Sequence, residues 1–456
     1  MTTVVEQLSA YAAALRYEDL PSAAVQQAKR LIVDSVGCAL GGYASEPAKI
    51  ARDIAATVTS SQPATVMGSG QRSSLDMATF ANGVMLRFLD FNDGYTSTGE
   101  SGHPSDSIAA VLTVADALGR SGKEVITATV LAYEVFCRIC DEADLKPLGF
   151  DHVTVGGMAS VAAAARLFGL DEHGIAQAFN LGIAPNVALY QTRIGHVSMW
   201  KGCAYANASR NAVFAAMLAS RGMTGPAPIF EGVGGYFKAV TRAPFQLAAL
   251  GGPQTPYKIL ECSIKRYPLG QYSQTVVQAA LELRTKIASA HDIAEIRIET
   301  VTAAVRLMAG DPEKWTPATR ETADHSMPYT VAVALIHGKV ESQHFDERYL
   351  RDPAILALAQ RIKVSISEEA DRHMPHAMRC HFTLTTKAGA THATMVDYHK
   401  GHYKNPLSDP EIEAKFRPLA GAVLPAAQVD RLLGALWRLE EHAHIHELMA
   451  LTVRTQ

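Results

Sequence analysis

The stretch Gly156-Gly-Met-Ala-Ser-Val-Ala-Ala-Ala-Ala-Arg-Leu-Phe-Gly169 decides how the first half of the chain is interpreted. It contains no proline and no regular alternation of polar and apolar residues, so it does not resemble a strand. Its small side chains allow neighbouring helices to approach closely. The stretch therefore predicts a helix inside the core of a helical domain.

The segments around this helix repeat the helical pattern. Pro21-Ser22 precedes apolar residues at helical spacing, which end at Gly41-Gly42. Pro104 and Gly119 flank residues 105–118, as expected of proline in a first turn and glycine after a last turn. No alternating stretch of useful length occurs in this half, which predicts an all-helical domain.

The pattern changes after Gly251-Gly252-Pro253. Residues 295–300 and 380–386 alternate between polar and apolar side chains, which is typical of half-buried strands, and helical patterns lie between them. The sequence thus predicts a mainly α protein with two domains. They are a large all-helical domain of residues 1–252 and 406–456, and a smaller α+β lid domain of residues 253–405.

Composition and charge exclude several classes of protein. Of 456 residues, 48% are hydrophobic, and 42 basic against 45 acidic side chains give a formal net charge of −3. This balance excludes the broad basic surface that binds nucleic acid or anionic membrane. The first residues lack a basic segment followed by an apolar one, and no apolar run approaches the length of a membrane span. We therefore expect a cytoplasmic protein.

One loop gathers polar residues of catalytic type. Asp90 and Asp93 follow one predicted helix, and His103 and Ser105 precede or open the next. Backbone N–H groups and the dipole at a helix start favour an anion, and an imidazole there is a reasonable general acid or base. Ordinary helix capping explains the same residues, so spacing alone leaves both interpretations open.

Further candidates lie along the chain. His152 also stands just before a helix of small residues, and Arg193, Lys201, Lys265 and Arg266 lie on or near apolar segments. Cations in such positions pair with carboxylates, and arginine does so through two parallel hydrogen bonds. A structural histidine, and lysines that extend out of a core, are the alternative explanations.

Metal and redox sites are poorly supported by the sequence. Cys137-Arg-Ile-Cys140 stands alone in an apolar helical pattern, which favours two thiols that fill core space. His442 and His446 share a face of the helix predicted over residues 429–452, but no glutamate follows the first histidine as in zinc proteases. Nucleotide-binding glycine motifs are also absent from the sequence. We therefore expect no metal and no cofactor.

The ordered set of motifs resembles the MmgE/PrpD family. Asp90-Phe-Asn-Asp93, followed by Glu100-Ser-Gly-His-Pro-Ser-Asp106, is similar to the signature of that family. Further matches follow in the family's order along the whole chain. They are Asp151-His152-Val-Thr, Gln191-Thr-Arg193, Ser198–Ala204, Gly222–Pro226, Tyr267-Pro268, Gln274-Thr275, Asp324–Tyr329 and Gly401–Pro406.

The resemblance has consequences for fold and chemistry. The family includes 2-methylcitrate dehydratase, cis-aconitate decarboxylase and an iminodisuccinate epimerase, all of which act on small di- or tricarboxylates. It implies a helical domain with an α+β lid, a homodimer, and catalysis without metal or organic cofactor. It also implies a pocket between the domains that contains the residues matching Asp90, His103, His152, Lys201 and Lys265.

Each of these reactions makes or removes a carbanion-like centre beside a carboxylate. A base must take a C–H proton, an acid must protonate a departing hydroxyl, and cations must hold the carboxylates. We expect His103 and His152 to divide the acid and base tasks, and Asp90 to orient a neighbouring side chain. Lys201, counted with the catalytic residues, is expected to hold carboxylates together with Lys265. The predicted substrate-binding residues are Lys265, Arg193, Arg266, Tyr329, Asp93 and Ser105.

The choice among reactions depends on small differences. The motif from Glu100 to Asp106 is more similar to methylcitrate dehydratases than to the decarboxylase. Gly270-Gln271-Tyr272, however, replaces a usual Glu-aromatic-His, and Gly94 replaces a usual Thr. The sequence predicts a cofactor-independent hydro-lyase acting on 2-methylcitrate or a related tricarboxylate. The alternative is an epimerase, isomerase or decarboxylase that uses the same pocket.

Overall fold

The computed structural model describes residues 2–454, and it is mainly helical. None of the helices in this range is both long and apolar enough to cross a membrane. The helices of the first half are α1 Val4–Ala14, α2 Ser22–Gly42, α3 Glu46–Ala55, α4 Leu75–Phe88, α5 Ile108–Ala117, α6 Gly122–Glu142, α7 Val153–Leu167, α8 Glu172–Ile183 and α9 Trp200–Ala219. The later helices are α10 Gln274–Arg284, α11 Thr302–Ala309, α12 Arg320–Ala323, α13 Met327–His337, α14 Glu347–Leu350, α15 Pro353–Ala359, α16 Glu368–Asp371, α17 Asp409–Gly421, α18 Ala426–Trp437 and α19 His446–Leu451.

The strands are short, and most of them lie in the second half. They are β1 Ala64–Thr65, β2 Arg72–Ser73, β3 Asp93–Gly94, β4 Ser263–Ile264, β5 Ile293–Thr300, β6 Ile362–Ile366, β7 Cys380–Thr386 and β8 Thr391–Val396. The last four form a sheet in the order β6-β5-β7-β8, with β5 and β6 parallel and the other neighbours antiparallel. The strands predicted from alternation are confirmed, because buried and exposed side chains alternate along β5 and β7.

The small-residue helix is confirmed as α7, which packs closely against α6 and α9. A side chain at Gly156 would overlap the ring of Tyr205, so only glycine permits this approach. The hydroxyls of Ser160 and Ser209 bond to each other across the same contact at 2.9 Å. The N-terminal end of α7 is thereby fixed in the core, and His152 precedes it directly.

The buried apolar residues form two clusters. The first, called here the first core, includes residues of α1–α9, α17 and α18, and the second core runs from Leu269 to Val396. Tyr257 and Ile264 belong to the first core, so it continues past residue 253. The division into domains at residue 253 stays a prediction.

Two expectations need correction. The first half is not purely helical, because β1 pairs with β2, and β3 pairs with β4 from beyond residue 253. The helix predicted over residues 429–452 is interrupted after Trp437. Instead of continuing the helix, the interrupting segment bonds to another part of the chain: the His442 carbonyl accepts from the Gly122 N–H, and the Ile445 N–H donates to the Arg120 carbonyl. His442 and His446 therefore do not share a helical face.

Candidate active site

A cavity of about 80 Å³, partly open to solvent, lies where the two cores meet. Its described lining contains cations and imidazoles but no carboxylate, which makes it suited to an anionic ligand. A larger groove beside α8 and α9 is lined by no titratable side chain and offers no acid–base chemistry. The residues lining the cavity are Arg87, Ser101, Gly102, His103, Lys146, His152, Tyr190, Arg193, Gly270, Gln271, Tyr272, Leu307, Met308 and His325.

His103 is held with a defined tautomer. Its Nδ1 lies 2.7 Å from the carbonyl oxygen of Asp93, and because a carbonyl only accepts, Nδ1 carries the hydrogen. The lone pair of the neutral ring is then on Nε2. Burial lowers the pKa of His103 well below its usual value, and the nearby Arg87 and Lys265 add to this effect. The ring is thus a neutral base near pH 7.

His152 lies beside His103, with ring centroids 5.5 Å apart in an edge-to-face arrangement. Its Nδ1 is 2.6 Å from Asp151, whose other oxygen accepts from Arg193 at 2.6 Å. The buried Nε2 of His152 has no hydrogen-bond partner. Burial lowers the pKa of His152, but Asp151 opposes this shift, so this ring is easier to protonate than one backed by a carbonyl.

Asp151 itself remains a carboxylate. Burial alone would raise its pKa, but Arg193 and His152 outweigh burial and hold the pKa below its usual value. Arg193 also donates to the carbonyl of Lys201 at 3.3 Å. Arg193 therefore both lines the cavity and fixes the carboxylate behind His152.

Asp90 is the centre of a buried ionic network just behind the cavity. Arg87 donates to its Oδ1 at 2.6 Å, Lys201 lies 3.0 Å from its Oδ2, and Lys265 also contacts Oδ1. Burial alone would raise the pKa of Asp90, but Arg87, Lys201 and Lys265 together hold it well below the usual value. Asp90 has φ +49°, a left-handed conformation that aspartate tolerates better than most residues.

Lys201 and Lys265 do not line the cavity in this structure. Lys201 bridges Asp90 and Asp324, with its ammonium 2.7 Å from Asp324. Lys265 also donates to the Asp90 carbonyl at 3.0 Å, and burial lowers its pKa to about 8. Both ammonium groups are thus bound to protein carboxylates, one layer behind the imidazoles.

Asp324 and His325 belong to a motif of the family resemblance, but no pattern in the sequence predicted them as site residues. His325 lines the cavity, with Nδ1 2.6 Å from Asp324 and Nε2 3.2 Å from Asp90. Burial, aided by Lys201, lowers the pKa of His325 to about 4. A neutral ring can donate to only one of the two carboxylates. The signal that could have found this pair was their place in the Asp324–Tyr329 motif.

Lys146 and Arg87 are cavity cations that sequence reasoning missed. Lys146 pairs with the buried Glu100, and Arg87 pairs with Asp90 and lies 3.3 Å from Asp106. Lys146 stands in a short 3₁₀ turn and Arg87 in the last turn of α4, so neither belongs to a catalytic spacing pattern. Only the folded structure shows that both side chains line the cavity.

Asp93 and Ser105 support the loop rather than line the cavity. Asp93 accepts from the Ser105 hydroxyl at 2.6 Å and from the Tyr133 hydroxyl at 2.7 Å. Burial raises the pKa of Asp93 to about 6. The carbonyl of Asp93 also accepts from His103. Contacts that hold Asp93 in place therefore also position the His103 ring.

The structure separates Arg266 and Tyr329 from the other predicted residues. Arg266 is exposed and borders a groove beside α17, while Tyr329 is buried in the second core. The Tyr329 hydroxyl donates to the His344 carbonyl at 2.6 Å, and the whole side chain is buried, so it does not reach the cavity.

Asp90, Asp324 and His325 offer potential metal-ligand atoms within 4.8 Å of one another. The Lys201 ammonium, however, already lies between the two carboxylates. A divalent cation at the same position would be repelled by this ammonium and by Lys265. The Lys201 ammonium thus takes the place that a metal ion would occupy between the two carboxylates. That the protein needs no metal stays a prediction.

The two departures from the family pattern are in contact. Gln271 lies in the space that a side chain at position 94 would occupy, and its amide donates to the Thr96 hydroxyl. A Cβ at Gly270 would lie 2.6 Å from the terminal methyl of Met308. Glycines at both positions therefore let Gln271 and Met308 take up space beside the cavity.

Comparisons with known proteins agree over most of the chain. Residues 6–248 match the model of the MmgE/PrpD N-terminal domain, and residues 267–440 match that of the MmgE/PrpD C-terminal domain. The chain is 29% identical over 447 residues to a 2-methylcitrate dehydratase of Cupriavidus necator, covering 92% of this chain and 90% of the relative.

Other relatives differ in their reactions. A 2-methylcitrate dehydratase of Escherichia coli (strain K12) is 28% identical over 451 residues, covering 92% of this chain and 90% of the relative. The cis-aconitate decarboxylase of Homo sapiens is 26% identical over 466 residues, covering 97% of this chain and 92% of the relative. Since similar identities accompany both names, identity alone does not select the reaction.

Proposed function

The chain belongs to the MmgE/PrpD family, and on this premise we propose that it is a hydro-lyase that dehydrates 2-methylcitrate or a related small tricarboxylate. The observation that carries the proposal is the cavity in which His103 and His152 are neighbours among cations. Relatives named 2-methylcitrate dehydratase support the reaction class. The catalytic groups in the proposal are all side chains of the protein.

Substrate binding falls to the cations that line the cavity. Lys146 and Arg193 each pair with one protein carboxylate and have further N–H donors for a substrate. Two carboxylates of the substrate bind there, which places the reacting carbons next to the imidazoles. Lys201 and Lys265 act through Asp90, and their positive charges stabilise negative charge in the cavity.

The proposed reaction uses the two histidines in different roles. His103 removes the C–H proton at Nε2, because its ring is held neutral and its Nδ1–H is bound to a carbonyl. The electron pair of that bond forms the C=C bond as the C–O bond breaks. His152 enters the step in its protonated form, which the Asp151 carboxylate favours. It donates its Nε2 proton to the departing hydroxyl, which leaves as water, and the ring becomes neutral. General acid and base catalysis each contribute roughly 10²–10⁴-fold.

The arrangement of the rings favours dehydration over epimerisation. Two-base epimerisation requires a base on each face of the reacting carbon. The two imidazoles instead lie next to each other, with centroids 5.5 Å apart. This arrangement suits removal of a proton and a hydroxyl from one side of the substrate.

The second core completes the cavity and, in this proposal, acts as a lid. It supplies Gly270–Tyr272 on one segment and Leu307 with Met308 on another. These side chains are neutral, so they enclose the substrate without competing for the cations.

We expect the purified protein to convert 2-methylcitrate into an alkene. Ultraviolet absorbance and mass spectrometry detect this product. A wider panel of di- and tricarboxylates identifies the preferred substrate. Solvent deuterium incorporated without an alkene would indicate epimerisation instead, and release of carbon dioxide would indicate decarboxylation. Either result would overturn the proposed dehydration.

A Gly94→Thr substitution is expected to lower kcat/KM mainly by raising KM. The new side chain overlaps Gln271 and drives its carboxamide away from Thr96, towards the substrate. Overpacking costs about 1–3 kcal/mol of stability. The part of this cost that falls on the substrate-bound state raises KM, by up to roughly 150-fold. Steady-state kinetics measures the change.

The matched control combines Gly94→Thr with Gln271→Ala, which removes the overlapping carboxamide. This double variant is expected to recover most of the lost kcat/KM. An unchanged KM in the single variant, or no recovery in the double variant, would show that Gln271 does not shape the binding site.

A further inference from the structure

We infer that Lys415, on α17, is a positioning residue for the candidate active site. It lies on a helix near the C-terminal end of the chain, and no motif of the sequence marked it. The inference rests on the proposed function for its kinetic consequence, but its structural consequence can be measured separately.

Lys415 binds two carbonyls at the base of the site. Its ammonium donates to the carbonyl of Phe91 at 2.6 Å and to the carbonyl of Lys265 at 3.0 Å. It also pairs with Asp34 of α2 at 2.6 Å and lies 3.9 Å from the centre of the Phe91 ring. One side chain thus joins two helices to two separate loop segments.

These two segments carry the ionic network. Phe91 follows Asp90, and Lys265 contacts both the carbonyl and the carboxylate of Asp90. The same segments pair as β3 and β4, but that pairing covers only two residues on each strand. So short a ladder holds its register weakly, and Lys415 supplies a further link between the same segments.

The bonds of Lys415 to the two carbonyls, more than its buried ion pair, indicate a positioning role. The Lys415 side chain is 5% exposed and that of Asp34 is 2% exposed. A buried ion pair often contributes no more stability than apolar side chains of similar volume. An ammonium, however, donates here to one carbonyl from each segment, while its charge pairs with the Asp34 carboxylate. An apolar replacement cannot make these bonds.

The Lys415→Met variant is expected to lose about 100-fold in kcat/KM, mainly through kcat. Misplacement of catalytic groups by about 1 Å from a distant substitution has an effect of this size. Hydrogen exchange provides a readout that does not depend on turnover. The Ile264 and Lys265 amides, which donate to the carbonyls of Gly401 and Asn92, should exchange faster in this variant.

Lys29 provides the matched control within the same core. Its ammonium binds the Trp437 carbonyl at 3.1 Å and Glu440 at 2.7 Å. Neither partner lines the cavity or belongs to the ionic network of Asp90. Lys29→Met should therefore destabilise the protein yet leave kcat/KM and exchange at residues 264–265 unchanged. If Lys415→Met does not fold, Lys415→Gln with Asp34→Asn provides a neutral, hydrogen-bonded alternative, in which we expect partial recovery of activity.

The inference is overturned if Lys415→Met and Lys29→Met give equal exchange at residues 264–265, or equal kcat/KM. Should the wild type turn over no carboxylate, the proposed function fails. The exchange comparison still decides whether Lys415 positions the two segments. The two failures are thereby distinguishable.

Discussion

Replacing His103 with asparagine is expected to lower kcat of the dehydration by about 10²–10⁴-fold, the usual contribution of a general base. Asparagine retains an amide donor for the Asp93 carbonyl, which the Nδ1 of His103 now contacts at 2.7 Å. It has no equivalent of Nε2, so it cannot accept the substrate proton. KM should change much less than kcat, because the cavity cations remain.

His399 offers a matched control for this substitution. It is also buried, and its Nδ1 donates to a backbone carbonyl, that of Lys400, at 3.0 Å. His399 does not line the cavity, so His399→Asn should leave kcat within a few-fold of wild type. If both variants lose kcat equally, burial of an imidazole and not base catalysis explains the effect.

The pH profile tests the protonation state of His103. Its pKa lies well below 6.5 because the ring is buried near Arg87 and Lys265. Protonation inactivates a base, so activity that depends on His103 should be lost only when the pH falls well below 6.5. A loss of kcat/KM that is centred at pH 6.5 as the pH falls would contradict this assignment.

The sequence was most informative where local patterns are strong. The helix α7 follows from its small residues, and β5 and β7 follow from alternation, because both signals lie within one continuous segment. His103 and His152 were also selected locally, since each stands just before a helix. Their approach to 5.5 Å depends on the packing of those helices.

Other parts of the site depend on contacts between distant segments. The β3–β4 pairing joins Asp93 to Ile264, and two residues on each strand are too few for an alternating pattern. Lys146 and His325 reach the cavity from opposite cores, so no spacing in the sequence relates them. Lys201 and Lys265 were predicted to hold substrate carboxylates, whereas in the structure they hold the carboxylates of the protein.

The interrupted C-terminal helix shows the same limit. Residues 429–452 have a helical pattern, but bonds of His442 and Ile445 to the turn around Arg120 replace the bonds of a continuous helix. Tertiary contacts of this kind override a local preference.

An Asp90→Asn substitution is expected to have the largest effect on stability, lowering the free energy of unfolding by about 3–5 kcal/mol, the usual loss when one partner of a buried ion pair is removed. Arg87, Lys201 and Lys265 would then share a buried space after losing the carboxylate that all three contact. Denaturant titration measures the loss.

The dependence of this loss on pH has a defined sign. The pKa of Asp90 is held well below its usual value in the folded protein, so the ionised carboxylate contributes stability above about pH 4. That contribution disappears as the pH falls through the lowered pKa of the folded state. The difference in stability between wild type and Asp90→Asn should therefore be largest near neutral pH and narrow in acid.

Asp116 provides the control that distinguishes network charge from burial alone. It is fully buried like Asp90, but its partners Arg72 and His446 have side chains that are 41% and 56% exposed. Water can solvate these partners when the carboxylate is lost, so Asp116→Asn should cost less than Asp90→Asn. Equal losses of unfolding free energy in the two variants would mean that the cations around Asp90 are not stabilised by its charge. Asp90 would then not be the centre of the network.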